Sequence, residues 1–256
     1  MLRFLARSCA SARVIFSPGM WCIQPEMAGF ATMEQTTGVL PTIRSYIKRG
    51  SRMTAAQEGA IDKYWEKYGL NSELPIDLTT VFPDKSEVII EIGSGMGEAT
   101  SKLAARFDSS GYIAIEVHRA GIGALILRAE ELGITNLRVI EADATVVIRD
   151  QFADQSIDAF HIFFPDPWPK TKQRKRRIIQ EPLLDLLATK LKPSGRICIA
   201  TDWLEYAKAI EKVFARDKRF QGGIVARPEW RPLTKFESKG ITKSHEVTDF
   251  RYTVAV

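Results

Sequence analysis

Cysteine is scarce in this chain. Among 256 residues there are three, Cys9, Cys22 and Cys198, with no CxxC pair. That argues against a disulfide framework and a thiolate metal site, and it favours a reducing compartment. Histidine is equally rare: His118, His161 and His245 share no ligand spacing, so no metal is expected. No apolar run approaches the ~18–20 residues that cross a bilayer, which argues against a membrane role. Acid is missing from the beginning of the chain. None precedes Glu26, while Arg3, Arg7 and Arg13 sit among serines. This stretch resembles a mitochondrial presequence. The preferred reading is a non-structural extension, with Met20, Met27 and Met33 as later starts, so residues 1–40 are set apart as a leader. The expected location is cytoplasmic, with mitochondrial as the alternative.

Positive charge is present, and it is concentrated. The net charge is +5, and six cations fall between Lys170 and Arg177 in "FFPDPWPKTKQRKRRIIQ", leaving the remainder at −1. Local basicity beside an otherwise neutral surface points to a polyanionic partner, against the plainer reading of a solvated helix face. A second basic stretch, "TIRSYIKRGSR", reads as an arm over residues 41–53. Thr54 and Gln57 then form a capping-box pattern ahead of Ile61, Tyr64, Trp65 and Tyr68 at helical spacing.

From residue 87 the pattern alternates. "EVIIEI", "GYIAIEV", "NLRVIEAD", "IDAFHIFF" and "GRICIATD" read as buried strands, "TDFRYTVAV" as a last one. Helical patterns "EATSKLAARF", "GIGALILRAEELG" and "WLEYAKAIEKVFAR" lie between them. Alternation of this kind predicts one α/β domain over residues 54–256: a doubly wound, mostly parallel, seven-stranded sheet of Rossmann-like type. Ligands of such sheets bind beyond the carboxyl ends of the strands, and here those ends carry Glu91, Glu116, Asp143, Asp166 and Asp202. Any one of these acids is commonly a helix cap. Five together repel one another unless a cationic or hydroxyl-rich ligand compensates.

The loop "EIGSGMG" has G-x-G-x-G spacing, with Gly93 and Gly95 allowing close approach to the backbone. Glu116 follows about twenty residues on, where an acid commonly holds ribose hydroxyls. The combination suggests a nucleoside cofactor bearing positive charge, and S-adenosylmethionine fits.

Four motifs, "EIGSGMGEAT", "FFPDPWPKTKQRKRRIIQ", "ATDW" and "RPLTKFESKG", resemble those of the bacterial tRNA (guanine-N7)-methyltransferase family, from about Arg44 to the C-terminus. The resemblance implies a class I fold, S-adenosylmethionine as cofactor and tRNA as substrate, with no obligate protein partner and a monomer or homodimer. It implies that Glu91, Glu116, Asp143 and Asp166 bind the cofactor, with Asp166 also catalytic. Lys170, Asp202, Thr234, Lys235, Phe236 and Glu237 match substrate-contacting positions, and Lys172, Arg174, Lys175, Arg176 and Arg177 an RNA-binding segment. Asp202 and Glu237 are expected to accept hydrogen bonds from guanine N1–H and its amino group. Trp168 has two expectations of equal weight: stacking on a base, or packing against its own loop. The chain departs from the family at Lys239, where Arg is frequent, and near His245, where a glycine is usual. Methylation of another RNA, an RNA-binding protein without catalysis and a nicotinamide-dependent dehydrogenase are the competing readings.

Overall fold

A computed structural model describes residues 44–47 and 52–255, which belong to one compact unit. The leader at 1–40 and the arm residues Lys48 and Arg49 lie outside the described residues.

Helix α1 (Ala55–Tyr68) starts where the capping box put it. Gln57 N–H donates to Thr54 Oγ1 at 3.2 Å, and Thr54 N–H donates to Gln57 Oε1 at 2.9 Å. A single turn, α2 (Leu78–Val81), leads into the alternating region. There β1 (Glu87–Ile92), α3 (Glu98–Arg106), β2 (Ser110–Glu116), α4 (Arg119–Glu131), β3 (Leu137–Glu141), α5 (Ala144–Gln151) and β4 (Ile157–Phe163) follow. A 3₁₀ helix over Thr171–Arg176 precedes α6 (Glu181–Lys190), β5 (Leu191–Thr201), α7 (Leu204–Phe214), β6 (Phe220–Val225), α8 (Lys235–Thr242) and β7 (Thr248–Val254).

The sheet has seven strands in the order β3-β2-β1-β4-β5-β7-β6. β7 runs antiparallel to both neighbours, and the other pairings are parallel. Strands buried on both faces need two helix layers, and the alternating residues divide accordingly. Val88, Ile90, Ile113, Phe160 and Ile197 pack with α5, α6 and α7, while Ile89, Tyr112, Ala114 and Cys198 share a core with α1, α3 and α4. Helix α4 stops in a Schellman turn at Gly133 (φ +62°): Ile134 N–H reaches Ala129 O at 2.8 Å and Gly133 N–H reaches Glu130 O at 3.1 Å.

The helices α2, α5, α6 and α8 and the strand β6 have no counterpart among the segments read from sequence. β6 is an edge strand whose two glycines, Gly222 and Gly223, erase the usual alternation. In α6 a proline in the first turn and a nearly continuous leucine run hide the helical period.

The chain order reverses between β1 and β4, which lie side by side while β2 and β5 depart to opposite flanks. At this switch point the glycine loop after β1 meets the Pro-Asp-Pro-Trp loop after β4.

Candidate active site

The glycine loop is preformed. Gly93, Gly95 and Gly97 have φ of +76°, +55° and +73°, a region that side chains disfavour. A Cβ added to Gly93 or Gly95 would meet no atom within 4 Å, so open space lies above both. Below the loop, Gly121 of α4 packs so closely on the Gly95 carbonyl that no side chain fits there. The Glu116 carboxylate at the end of β2 accepts from three backbone amides: Gly95 N–H at 2.8 Å, Val117 N–H at 2.7 Å and His118 N–H at 2.9 Å.

Two adjoining cavities share Gly93 and Phe164. One, of about 240 Å³, is lined by Glu116, Asp143, Asp166 and, from the arm, Ser45 and Tyr46. The other, of about 480 Å³, is lined by Glu91, the loop Gly93–Met96, Arg128, Thr234, Lys235, Phe236 and Lys239. Together they have the size of a nucleoside-cofactor site with room beside it.

The acids differ in environment. Glu91 is 3% exposed and accepts a hydrogen bond from the Thr100 hydroxyl. Burial pushes its carboxyl up to about 7. Asp143 lies two residues past β3 and caps α5, its Oδ1 accepting from Thr145 N–H at 3.0 Å and Thr145 Oγ1–H at 2.7 Å. The same carboxylate lies beside the Tyr46 hydroxyl of the arm, at the wall of the smaller cavity. Burial first, and then the charge of Asp143, raise the pKa of the Tyr46 hydroxyl. Asp166 is exposed, three residues beyond β4, with no hydrogen bond or ion pair among the described residues.

The loop around Asp166 is held from both sides. Phe164 (φ +52°) and Trp168 (φ +42°) are left-handed without being glycine, a conformation uncommon for large side chains. Trp168 is 8% exposed, donates from Nε1 to Ser45 O at 3.0 Å and lies beneath the Arg176 guanidinium. Of its two expectations, packing against its own loop describes it. Arg177 also turns inward: it is 5% exposed, donates from Nε to Pro167 O at 2.7 Å, pairs with Glu205 and stacks on Tyr206. Thus Arg177 fastens the loop and does not join the outward cations. Lys170, Lys172, Arg174 and Lys175 are exposed and Arg176 is half-buried, with Arg174 reaching Glu205 at 3.4 Å.

Of the substrate-matching residues, Lys170 lies on the Asp166 loop, at the start of the 3₁₀ helix, and the others gather around α8. Thr234 caps the helix by accepting from Glu237 N–H at 3.2 Å, and Lys235 N–H donates to Glu98 Oε2 at 2.8 Å. Phe236 is 58% exposed, its ring 5.3 Å from that of Phe164. Asp202, just past β5, meets the His245 ring at 3.1 Å between Oδ2 and Nδ1. Glu237 alone faces away from solvent; it is buried against Arg231.

Sequence reasoning left out Phe164, Tyr46 and Arg128. Arg128 makes no hydrogen bond or ion pair among the described residues, and its Nε is fully buried at the cavity wall. Only the partition of α4 into core and cavity-facing residues reveals it.

Sheet order, glycine loop and strand-end acids together define a class I S-adenosylmethionine-dependent methyltransferase. Solved structures of the same fold include the 16S rRNA methyltransferase KamB (TM-score 0.50, 13% identity, 82% of this chain and 97% of that one). A second is the 16S rRNA (adenine(1408)-N(1))-methyltransferase from Catenulisporales acidiphilia (TM-score 0.50, 12% identity, 73% and 92%). A family profile described as "Putative methyltransferase" matches residues 85–250. A tRNA (guanine-N(7)-)-methyltransferase of Nitrosomonas europaea is 44% identical over 217 residues, 83% of this chain and 97% of that relative. One from Dechloromonas aromatica is 41% identical over 231 residues, 89% and 94% respectively. The chain belongs to the tRNA (guanine-N(7)-)-methyltransferase family.

Proposed function

We propose that the protein methylates N7 of a guanosine in tRNA, in the variable loop, with Asp166 as the catalytic residue. S-adenosylmethionine supplies an activated methyl group. The observation that carries this reading is the Asp166 carboxylate, without a partner among the described residues, on a braced loop at the cavity wall beside a row of exposed cations.

The residues present fit the cofactor. Glu116 has lone pairs left for ribose hydroxyls, Asp143 lines the same cavity, and Glu91 lines the next one, where an ammonium would compensate its charge. Guanine N7 is an unprotonated acceptor, so no base need remove a proton before attack. Its lone pair would form the new bond to the methyl carbon as that carbon's bond to sulfur breaks, the electron pair staying on the departing neutral thioether, and positive charge would move from sulfur onto the purine. Asp166 stabilises that charge and orients the ring, an electrostatic effect that acts in the transition state. Phe236 and Phe164, their rings inclined at 58°, offer apolar faces beside Lys235. Lys170, Lys172, Arg174 and Lys175 grip phosphates next to the reacting base.

Among the described residues no helix is long and apolar enough to cross a membrane. We take the enzyme to be cytoplasmic and to act without an obligate partner, as a monomer or homodimer, with residues 1–40 outside its catalytic domain.

The test is transfer of labelled methyl groups to unmodified tRNA, with nucleoside analysis after digestion. N7-methylguanosine from wild type, lost in Asp166→Ala with tRNA binding retained, is the expected result. Binding without any methyl transfer would favour an RNA-binding protein on this scaffold.

A further inference from the structure

Glu237 lies in a sequence motif matched to substrate contact, yet its side chain is 0% exposed and both oxygens are taken. Arg231 donates from Nη1 to Glu237 Oε2 and from Nη2 to Oε1, each at 2.8 Å, and Arg227 Nε adds a contact to Oε1 at 3.2 Å. The same Arg231 holds Asp249 of β7 through Nε at 2.6 Å and Nη2 at 2.9 Å. Arg231 is itself 2% exposed, and Arg227 closes the ring by donating to Arg231 O at 2.9 Å. Two cations and two anions therefore form a neutral cluster, buried at Arg231, Glu237 and Asp249 with Arg227 at its exposed edge, that joins the loop before α8, α8 itself and the antiparallel strand β7.

What the cluster supports is the rim of the methyl-transfer cavity. Glu237 follows Thr234, Lys235 and Phe236 directly, and the Arg231 guanidinium lies 5.6 Å over the Phe164 ring. For Glu237 to read guanine it would have to leave Arg231, exposing a buried guanidinium to a missing partner.

We propose that Glu237 is a positioning residue: through Arg231 and Asp249 it holds α8 so that Phe236 and Lys235 face the target base, and it does not touch that base. This rests on the function proposed above. Consequently Glu237 contributes to the rate through the helix and not through guanine recognition.

Glu237→Gln, Arg231→Gln and the double variant are compared with wild type on tRNA carrying guanosine or inosine at the target position. Inosine keeps N7 but lacks the 2-amino group that a guanine-reading carboxylate would bind. Cofactor titration confirms that each variant is folded. The expected result is a 10- to 100-fold fall in kcat/KM for each single variant, equal on both tRNAs. The double variant should fall no further than the worse single one, the signature of one shared unit. A loss that shrinks on inosine, a double variant whose losses multiply, or a Glu237→Gln enzyme with full activity would each overturn the proposal. If wild type makes no N7-methylguanosine, the proposed function itself fails, whatever the variants do. Should Glu237→Gln fail to bind cofactor, Asp249→Asn, which loosens the same cluster from β7, gives the same comparison.

Discussion

Replacing Glu91 by Gln should stabilise the cofactor-free protein at high pH and weaken the cofactor site. In the folded chain the Glu91 carboxyl is buried on β1 with the Thr100 hydroxyl as its donor, and its pKa is raised from 4.5 to about 7. Below pH 4.5 the group is protonated in both states and contributes no difference. Between pH 4.5 and 7 the folded state holds a proton that the unfolded state has lost, so stability falls as pH rises; above 7 the deficit is complete. At 1.36 kcal/mol per unit the full effect is about 3 kcal/mol. Glutamine keeps the shape and can still accept from Thr100, but it does not titrate. The variant should match wild type near pH 4 and exceed it by about 3 kcal/mol near pH 8, on the order of 5–10 °C in melting temperature. Thermal melts of both proteins without cofactor, at pH 4 and pH 8, measure this directly. Identical pH slopes for the two proteins would refute the argument. Calorimetric titration adds the complement: wild-type affinity for S-adenosylmethionine should strengthen as pH rises through about 7, whereas the variant should bind weakly and with little pH dependence.

Asp166→Asn should lower kcat by about 10²- to 10³-fold, the range seen when a preorganised electrostatic group is lost, with cofactor affinity unchanged in a binding titration. Changing Lys170, Lys172 and Lys175 together to Gln should weaken tRNA binding and reduce the slope of log K against log salt by roughly 2–3, read from filter binding at several salt concentrations. Arg177→Gln should behave differently from its basic neighbours. It should cost about 1–3 kcal/mol of stability in denaturant unfolding and reduce turnover, because Glu205 and Pro167 O lose their donor, while the salt slope stays as in wild type.

The alternation of strands with helices made the sheet and its ligand-binding edge legible, because each parallel strand carries a short apolar run, even β5, whose first residues are polar. Glu116, Asp143 and the glycine loop were legible for the same reason: they sit at fixed places relative to strand ends. Orientation within a local run was not. Lys172 and Arg177 belong to one stretch of cations, and only the packing of Arg177 on Tyr206 tells the inward residue from the outward one. Glu237 and Phe236 are adjacent, yet the partners that bury one and leave the other exposed come from Arg231 and β7. The two cavity walls drawn from Arg128 and Tyr46 depend likewise on long-range packing that no local period encodes.

Glu116 serves two masters. The same carboxylate that lines the cavity also ties the backbone of Gly95, Val117 and His118, so it is a strut of the loop as well as the proposed ligand for what the loop holds. Removing it would collapse the cradle and delete a contact at once, and the resulting loss of affinity could not be divided between the two. A cofactor analogue with altered ribose hydroxyls leaves the strut intact, and it is therefore the substrate side, not the protein side, from which that contact can be weighed.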